Sequence, residues 1–233
     1  HQPTLFAICG IEIYQALANR MADTVSTYGG DVPPGRELGK FGEGLDDRYG
    51  YDTVEGLAAQ YAREILEVAP EGPYALLGLS FGGVLAFEVA QQLKRAGHEV
   101  AFVALLDSVI LSALEKRAYR HVIDFVKGMS ALGRRAQDAS PRTAESPAHE
   151  DLGKYRGRYY WTLSKRYVPQ PFAGRVILVR AAQANLFGRG YIQDVQMGWR
   201  NLVAGDLETM TMDCAHTGML KSPHVEQLAE ALR

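Results

Sequence analysis

The chain has 233 residues, 47% hydrophobic and 22% charged, with a formal net charge of -2. That length suits one α/β domain, or one and a half. The near-neutral balance excludes a general electrostatic pull towards nucleic acid or anionic membrane. Cys9 and Cys214 lie far apart in apolar contexts. A disulfide framework is therefore not expected, and a reducing, cytoplasmic setting is. No apolar run reaches the roughly 18 residues of a membrane span, and no basic-then-apolar leader opens the chain. The abrupt start at His1 and the helical pattern running out at Arg233 read as one domain of a larger protein.

Short apolar runs alternate with helical patterns. Thr4–Ile8 reads as a buried strand, and Ile11–Met21 as a helix with Ile13, Leu17 and Met21 on its apolar face. Val25–Tyr28 reads as a short strand, and the Gly-, Pro- and Asp-rich stretch 29–51 as loop. Thr53 is an N-cap for a helix through Glu67, whose Val54, Leu57, Ala58, Tyr61 and Ile65 follow helical spacing. Tyr74–Leu77 reads as a strand and Val84–Ala96 as a helix ended by Gly97. Val100–Leu106 is uniformly apolar, as a strand buried on both faces must be. Val176–Val179 and Glu208–Met212 add two strands, and Pro223 starts a last helix.

Strands alternating with helices imply a doubly wound, mostly parallel α/β sheet. Residues 1–107 and 171–233 form this core. Residues 108–170, helical in pattern and rich in Arg and Tyr, read as a lid inserted over the sheet's C-terminal edge. Within them, Ala136–Glu150 reads as a mobile polar loop.

Gly78-Leu79-Ser80-Phe81-Gly82 matches G-x-S-x-G, followed by Gly83. A bare match is weak. This one falls where a strand meets a helix, the context in which a sharp corner lifts a serine hydroxyl out of the sheet. The flanking glycines Gly78, Gly82 and Gly83 leave room for that corner. The plainer reading is packing alone.

A serine nucleophile needs a histidine to take its proton and an acid to orient the histidine. On this kind of sheet the acid and then the histidine follow the serine. His1 and His98 fall out of order, His121 and His149 lie in the insertion, and His224 sits at a helix start. His216 follows the last strand and is the candidate base, with an exposed loop histidine as the plainer reading. Asp107 ends the strand after the nucleophile helix and is the candidate acid; a cap for the segment from Val109 is the plainer reading. The stretch after Val179 offers no acid before Asp194, and Asp206 precedes a strand. An oxyanion hole would take the N–H of Phe81 and one from the loop after the first strand, at Gly10 or Ile11.

The sequences around Gly78–Leu93, Val100–Ser108 and His216–Val225 resemble the thioesterase domains that end nonribosomal peptide and polyketide synthases. The Leu-Leu-Asp-Ser acid at 105–108 carries most of that likeness, since many esterases and lipases place their acid two strands later. The resemblance implies an α/β-hydrolase fold. It implies an acyl or peptidyl chain arriving as a thioester on the phosphopantetheine arm of a carrier domain upstream, and release by hydrolysis or ring closure through a Ser80 ester. The family usually carries a His-Gly and a longer glycine loop after the first strand. Here Ile8-Cys9-Gly10-Ile11-Glu12 runs straight into helix, which leaves the second oxyanion donor open. Cys9 reads as a small hydrophobe, not a second nucleophile.

Residues 154–166 mix basic and aromatic side chains. The favoured reading is a helix with Tyr159, Leu163 and Tyr167 inward, not a nucleic-acid surface; its basic face would suit an acidic carrier. No metal-ligand spacing and no nucleotide-binding glycine motif occurs, so neither metal nor cofactor is expected. The rival readings are a free-standing editing thioesterase, an esterase or lipase, and a non-catalytic binding module on the same scaffold.

Overall fold

The computed structural model describes residues 4–30, 51–113, 159–183 and 195–233. Among the described residues six strands form one sheet: β1 (Thr4–Ile8), β2 (Thr27–Gly30), β3 (Tyr74–Leu79), β4 (Val100–Leu106), β5 (Val176–Ala181) and β6 (Leu207–Met212). Their order is β2-β1-β3-β4-β5-β6, and every pairing is parallel. The α-helices are α1 (Gln15–Met21), α2 (Val54–Val68), α3 (Phe81–Arg95), a segment at 159–166, and α4 (His224–Ala231). Among the described residues no helix is long and apolar enough to cross a membrane.

Side chains alternate across each strand, so each strand feeds two cores. Phe6, Ile8, Leu76, Val103, Leu105 and Leu178 meet α2, α3 and the 159–167 segment on one face. Leu5, Ala7, Leu77, Ala104, Leu106 and Val179 meet α1 and α4 on the other. Thr53 caps α2 as expected, its side chain accepting the Gly56 N–H at 3.0 Å. Gly97 ends the α3 turn at φ +90°.

Four expectations shift. Ile13 is 46% exposed and Tyr14 2%, so the buried stripe is Tyr14, Leu17 and Met21. The cause is a 3₁₀ turn at Ile11–Tyr14, which is tighter than an α-turn and changes the helical phase. The second strand is displaced to Thr27–Gly30, so Gly29 and Gly30 leave the expected loop. They are accommodated because Ile11 fills the space a Gly29 side chain would take, and the Tyr61 ring lies 2.7 Å from where a Gly30 Cβ would be. The nucleophile helix starts at Phe81, not Val84, directly after Ser80, and Pro223 is the residue before α4, not its first. Of the insertion, the expected loop 136–150 lies outside the described residues, as do His121 and His149. Its described end packs as expected: Tyr159, Leu163 and Tyr167 are buried in the core shared with α3. Tyr167 donates to the buried Glu88 carboxylate at 2.8 Å.

Candidate active site

From β1 the chain crosses to β2 on one side, then returns to β3 on the other. Ligands of such sheets bind outside the carboxyl ends of the strands at that reversal. Here that edge carries the strain. Cys9, Ser80 and Asp107, the residues just past β1, β3 and β4, have φ of 67°, 57° and 44°. Non-glycine residues rarely adopt these values, and they persist only where surrounding structure enforces them.

At β3 the enforcement is steric. A Cβ on Gly78 would collide with the backbone of Gly82 and Gly83, one on Gly82 would lie 2.6 Å from Ile8 O, and one on Gly83 would overlap Ser108 Oγ. Ser80 N–H donates to Leu106 O at 2.8 Å, tying the corner to the residue before Asp107. The Ser80 side chain is exposed at the start of α3. Phe81 N–H heads that helix, where amides have no carbonyl a turn back and carry partial positive charge.

Asp107 is buried and His216 is brought onto it: Nδ1 lies 2.6 Å from Oδ2. The other oxygen, Oδ1, accepts the Ala181 N–H from the end of β5 at 3.2 Å. Asp107 N–H donates to Val179 O at 2.7 Å. The carboxylate is thus held by β5 and aimed at the imidazole, whose side chain is 25% exposed. A helix cap does not describe this geometry. Among the described residues no hydrogen bond joins Ser80 to His216. His98 instead packs edge-on against Tyr74 at 5.9 Å, and His224 sits half-buried at the start of α4.

In the loop after β1, Cys9 and Gly10 both donate their N–H to Gly30 O, at 3.0 and 3.3 Å. Of the two expected donors, Ile11 is the one that stands clear of this bonding, at the head of the 3₁₀ turn. Cys9 Sγ–H donates to Tyr160 Oη at 3.3 Å, and the Tyr160 ring stacks on Phe81 with centroids 4.5 Å apart. The 159–166 segment therefore closes over the two candidate oxyanion strands. Cys214, just before His216, is buried, and burial first, then the nearby Asp107 and Asp213 charges, raises its thiol pKa.

Three supporting residues escaped the sequence reading. Trp199 Nε1–H donates to Ser108 O at 2.8 Å, holding the chain just past Asp107. Tyr160 and Tyr14 act at the β1 side. An aromatic with a polar tip on each segment was the available signal, but its partner is set only by the fold.

A thioesterase-domain family model matches residues 6–233. The chain belongs to the thioesterase domain family. It is similar to the solved NocB thioesterase domain, 26% identical, with a TM-score of 0.71 over 100% of this chain and 94% of that one. Among curated proteins it resembles malpibaldin synthetase of Mortierella alpina, 28% identical over 76% of this chain. It also resembles polyketide synthase 1 of Metarhizium brunneum, 45% identical over 34% of this chain. It spans only 3% and 4% of those two proteins. A four-domain nonribosomal peptide synthetase, AB3403, shares the fold at 17% identity and a TM-score of 0.71 over 98% of this chain and 19% of that one. The family and these neighbours account for the parallel sheet as an α/β-hydrolase core.

Proposed function

We propose that this thioesterase domain releases an acyl or peptidyl chain from the phosphopantetheine thiol of a carrier domain, through an ester on Ser80. His216 Nε2 takes the Ser80 proton as Oγ attacks the thioester carbonyl. The negative oxygen that forms is met by the N–H groups of Phe81 and Ile11. The C–S bond then breaks, and the departing thiolate takes the proton back from His216. Water, or an amine or hydroxyl of the bound chain, next loses its proton to His216 and attacks the ester; the acyl C–Oγ bond breaks and Ser80 Oγ takes that proton back, giving an acid or a ring. Asp107 holds Nδ1–H of the imidazole and stabilises its cationic form.

The observation that carries this reading is the 2.6 Å Asp107–His216 contact at the strand edge where the strained Ser80 corner emerges. Contacts between nucleophile and base commonly tighten only in the substrate complex. The carrier as partner rests on the likeness to synthase domains. The solved NocB thioesterase domain forms a covalent complex with a fluorophosphonate nocardicin G analogue, which supports reading a covalent nucleophile here. The test is to load a carrier domain with its chain, add the domain, and weigh the product. A free acid or a product lighter by one water is expected. Ser80→Ala should lower release by about 10⁴-fold or more; release at the wild-type rate from that variant would refute the mechanism.

A further inference from the structure

The last rung of the β1–β3 ladder, beside Ser80, carries a side-chain hydroxyl as well as backbone. Leu5 and Cys9 turn their N–H groups to β2, donating to Ser26 O and Gly30 O, so even-numbered β1 residues face β3. With Ile8 opposite Gly78, the Leu79 N–H faces Ile8 O in the parallel ladder. The Tyr14 hydroxyl bonds both groups. It accepts the Leu79 N–H at 2.7 Å and donates to Ile8 O at 3.2 Å.

That bridging oxygen does two things. It ties together the ends of β1 and β3 where Gly82 packs: a Cβ on Gly82 would lie 2.6 Å from Ile8 O, 3.3 Å from Cys9 Cβ and 3.5 Å from Tyr14 Oη. It also fixes the distance between the Cys9–Ile11 loop and the Ser80–Phe81 corner, the two halves of the proposed oxyanion site. Tyr14 is 2% exposed, and burial, the larger effect, raises its pKa, so the phenol stays protonated and can donate.

We infer that Tyr14 is a positioning residue for the acyl-transfer step: its hydroxyl sets the spacing between the Phe81 and Ile11 amides. This rests on the Ser80 reading above. In Tyr14→Phe, Leu79 N–H loses that acceptor and Ile8 O that donor, the two strand ends lose their bridge, and the donors lose register with the developing oxyanion. Losing one such donor outright costs about 10²–10³-fold, so misplacing one should cost about 10- to 100-fold in kcat.

The experiment compares wild type, Ser80→Ala and Tyr14→Phe on one thioester, with active sites titrated by a fluorophosphonate. For Tyr14→Phe, kcat per titrated site should fall about 10- to 100-fold with KM within about twofold, and the fluorophosphonate labelling rate should fall in parallel. A merely structural role would lower the melting temperature and the titratable fraction but leave kcat per site unchanged, which overturns the inference. Turnover surviving in Ser80→Ala would instead remove the mechanism beneath it. If Tyr14→Phe does not fold, 3,5-difluorotyrosine placed at position 14 keeps the bulk but weakens the hydroxyl as acceptor. A drop in kcat of about twofold or more at unchanged KM is expected there, and an unchanged kcat overturns the inference.

Discussion

The strands of this sheet begin and end differently. At the N-terminal edge the ladder continues past the strands through plain backbone bonds, as in Tyr74 N–H to Glu99 O at 2.9 Å and Val176 N–H to Asp206 O at 2.8 Å. At the C-terminal edge three strands end on left-handed residues, and side chains join the backbone bonds: Tyr14 serves Leu79, and Asp107 serves Ala181. Each such residue costs about 1–3 kcal/mol. The regular edge and the two buried cores supply the stability that holds the strained edge in place. Stability and chemistry occupy opposite ends of the same strands.

The comparison breaks most visibly at the acid. Asp107→Asn keeps the shape but disturbs which imidazole nitrogen carries the proton, and should lower thioester turnover by about 10³- to 10⁴-fold. A loss under about tenfold would remove Asp107 from its role. Two glycines sharpen the contrast next. Gly83→Ala, whose Cβ meets Ser108 Oγ and lies 2.8 Å from Gly78 O, should cost about 3 kcal/mol in thermal or urea unfolding. Gly97→Ala, at φ +90° with nothing within 4 Å, adds only backbone strain, about 1–2 kcal/mol. Equal costs would mean the elbow is not tightly packed.

Tyr167→Phe removes one donor from the buried Glu88, which keeps Gln91, Gln92 and Arg95, and should cost about 1–2 kcal/mol. Burial, the largest effect, together with the Glu88 charge raises the Tyr167 pKa. A raised folded-state value means stability is intact below the ordinary phenol pKa of about 10 and declines as pH rises past it. Tyr167→Phe should flatten that alkaline decline in pH-dependent unfolding; an unchanged slope would contradict it. The smallest effect belongs to the regular edge. Arg175 and Glu208 pair at 2.6 Å but are 44% and 53% exposed, so Glu208→Gln should change stability by under about 1 kcal/mol.

Apolar patterning made the regular half legible. Val100–Leu106 was readable as a doubly buried strand because all seven residues are apolar, and Thr53–Glu67 as a capped amphipathic helix. The Asp107–His216 contact was legible because strand ends and chain order limit which residues can meet; Ser80, with no hydrogen bond to His216 among the described residues, was legible as a strand–helix corner. What stayed hidden depends on geometry that no period encodes. The 3₁₀ turn that swaps Ile13 for Tyr14 is one case; glycines admitted to β2 by Ile11 and Tyr61 are another. That the Gly10 amide is taken by Gly30 O, leaving Ile11, required the β1–β2 register.

The most direct measurement is peptide mapping by mass spectrometry after brief mixing with a carrier-bound acyl thioester and acid quench. The account predicts the acyl mass on the peptide containing Ser80, and its absence when Ser80 is replaced by alanine. Acylation at another residue, with turnover intact in the alanine variant, would contradict it.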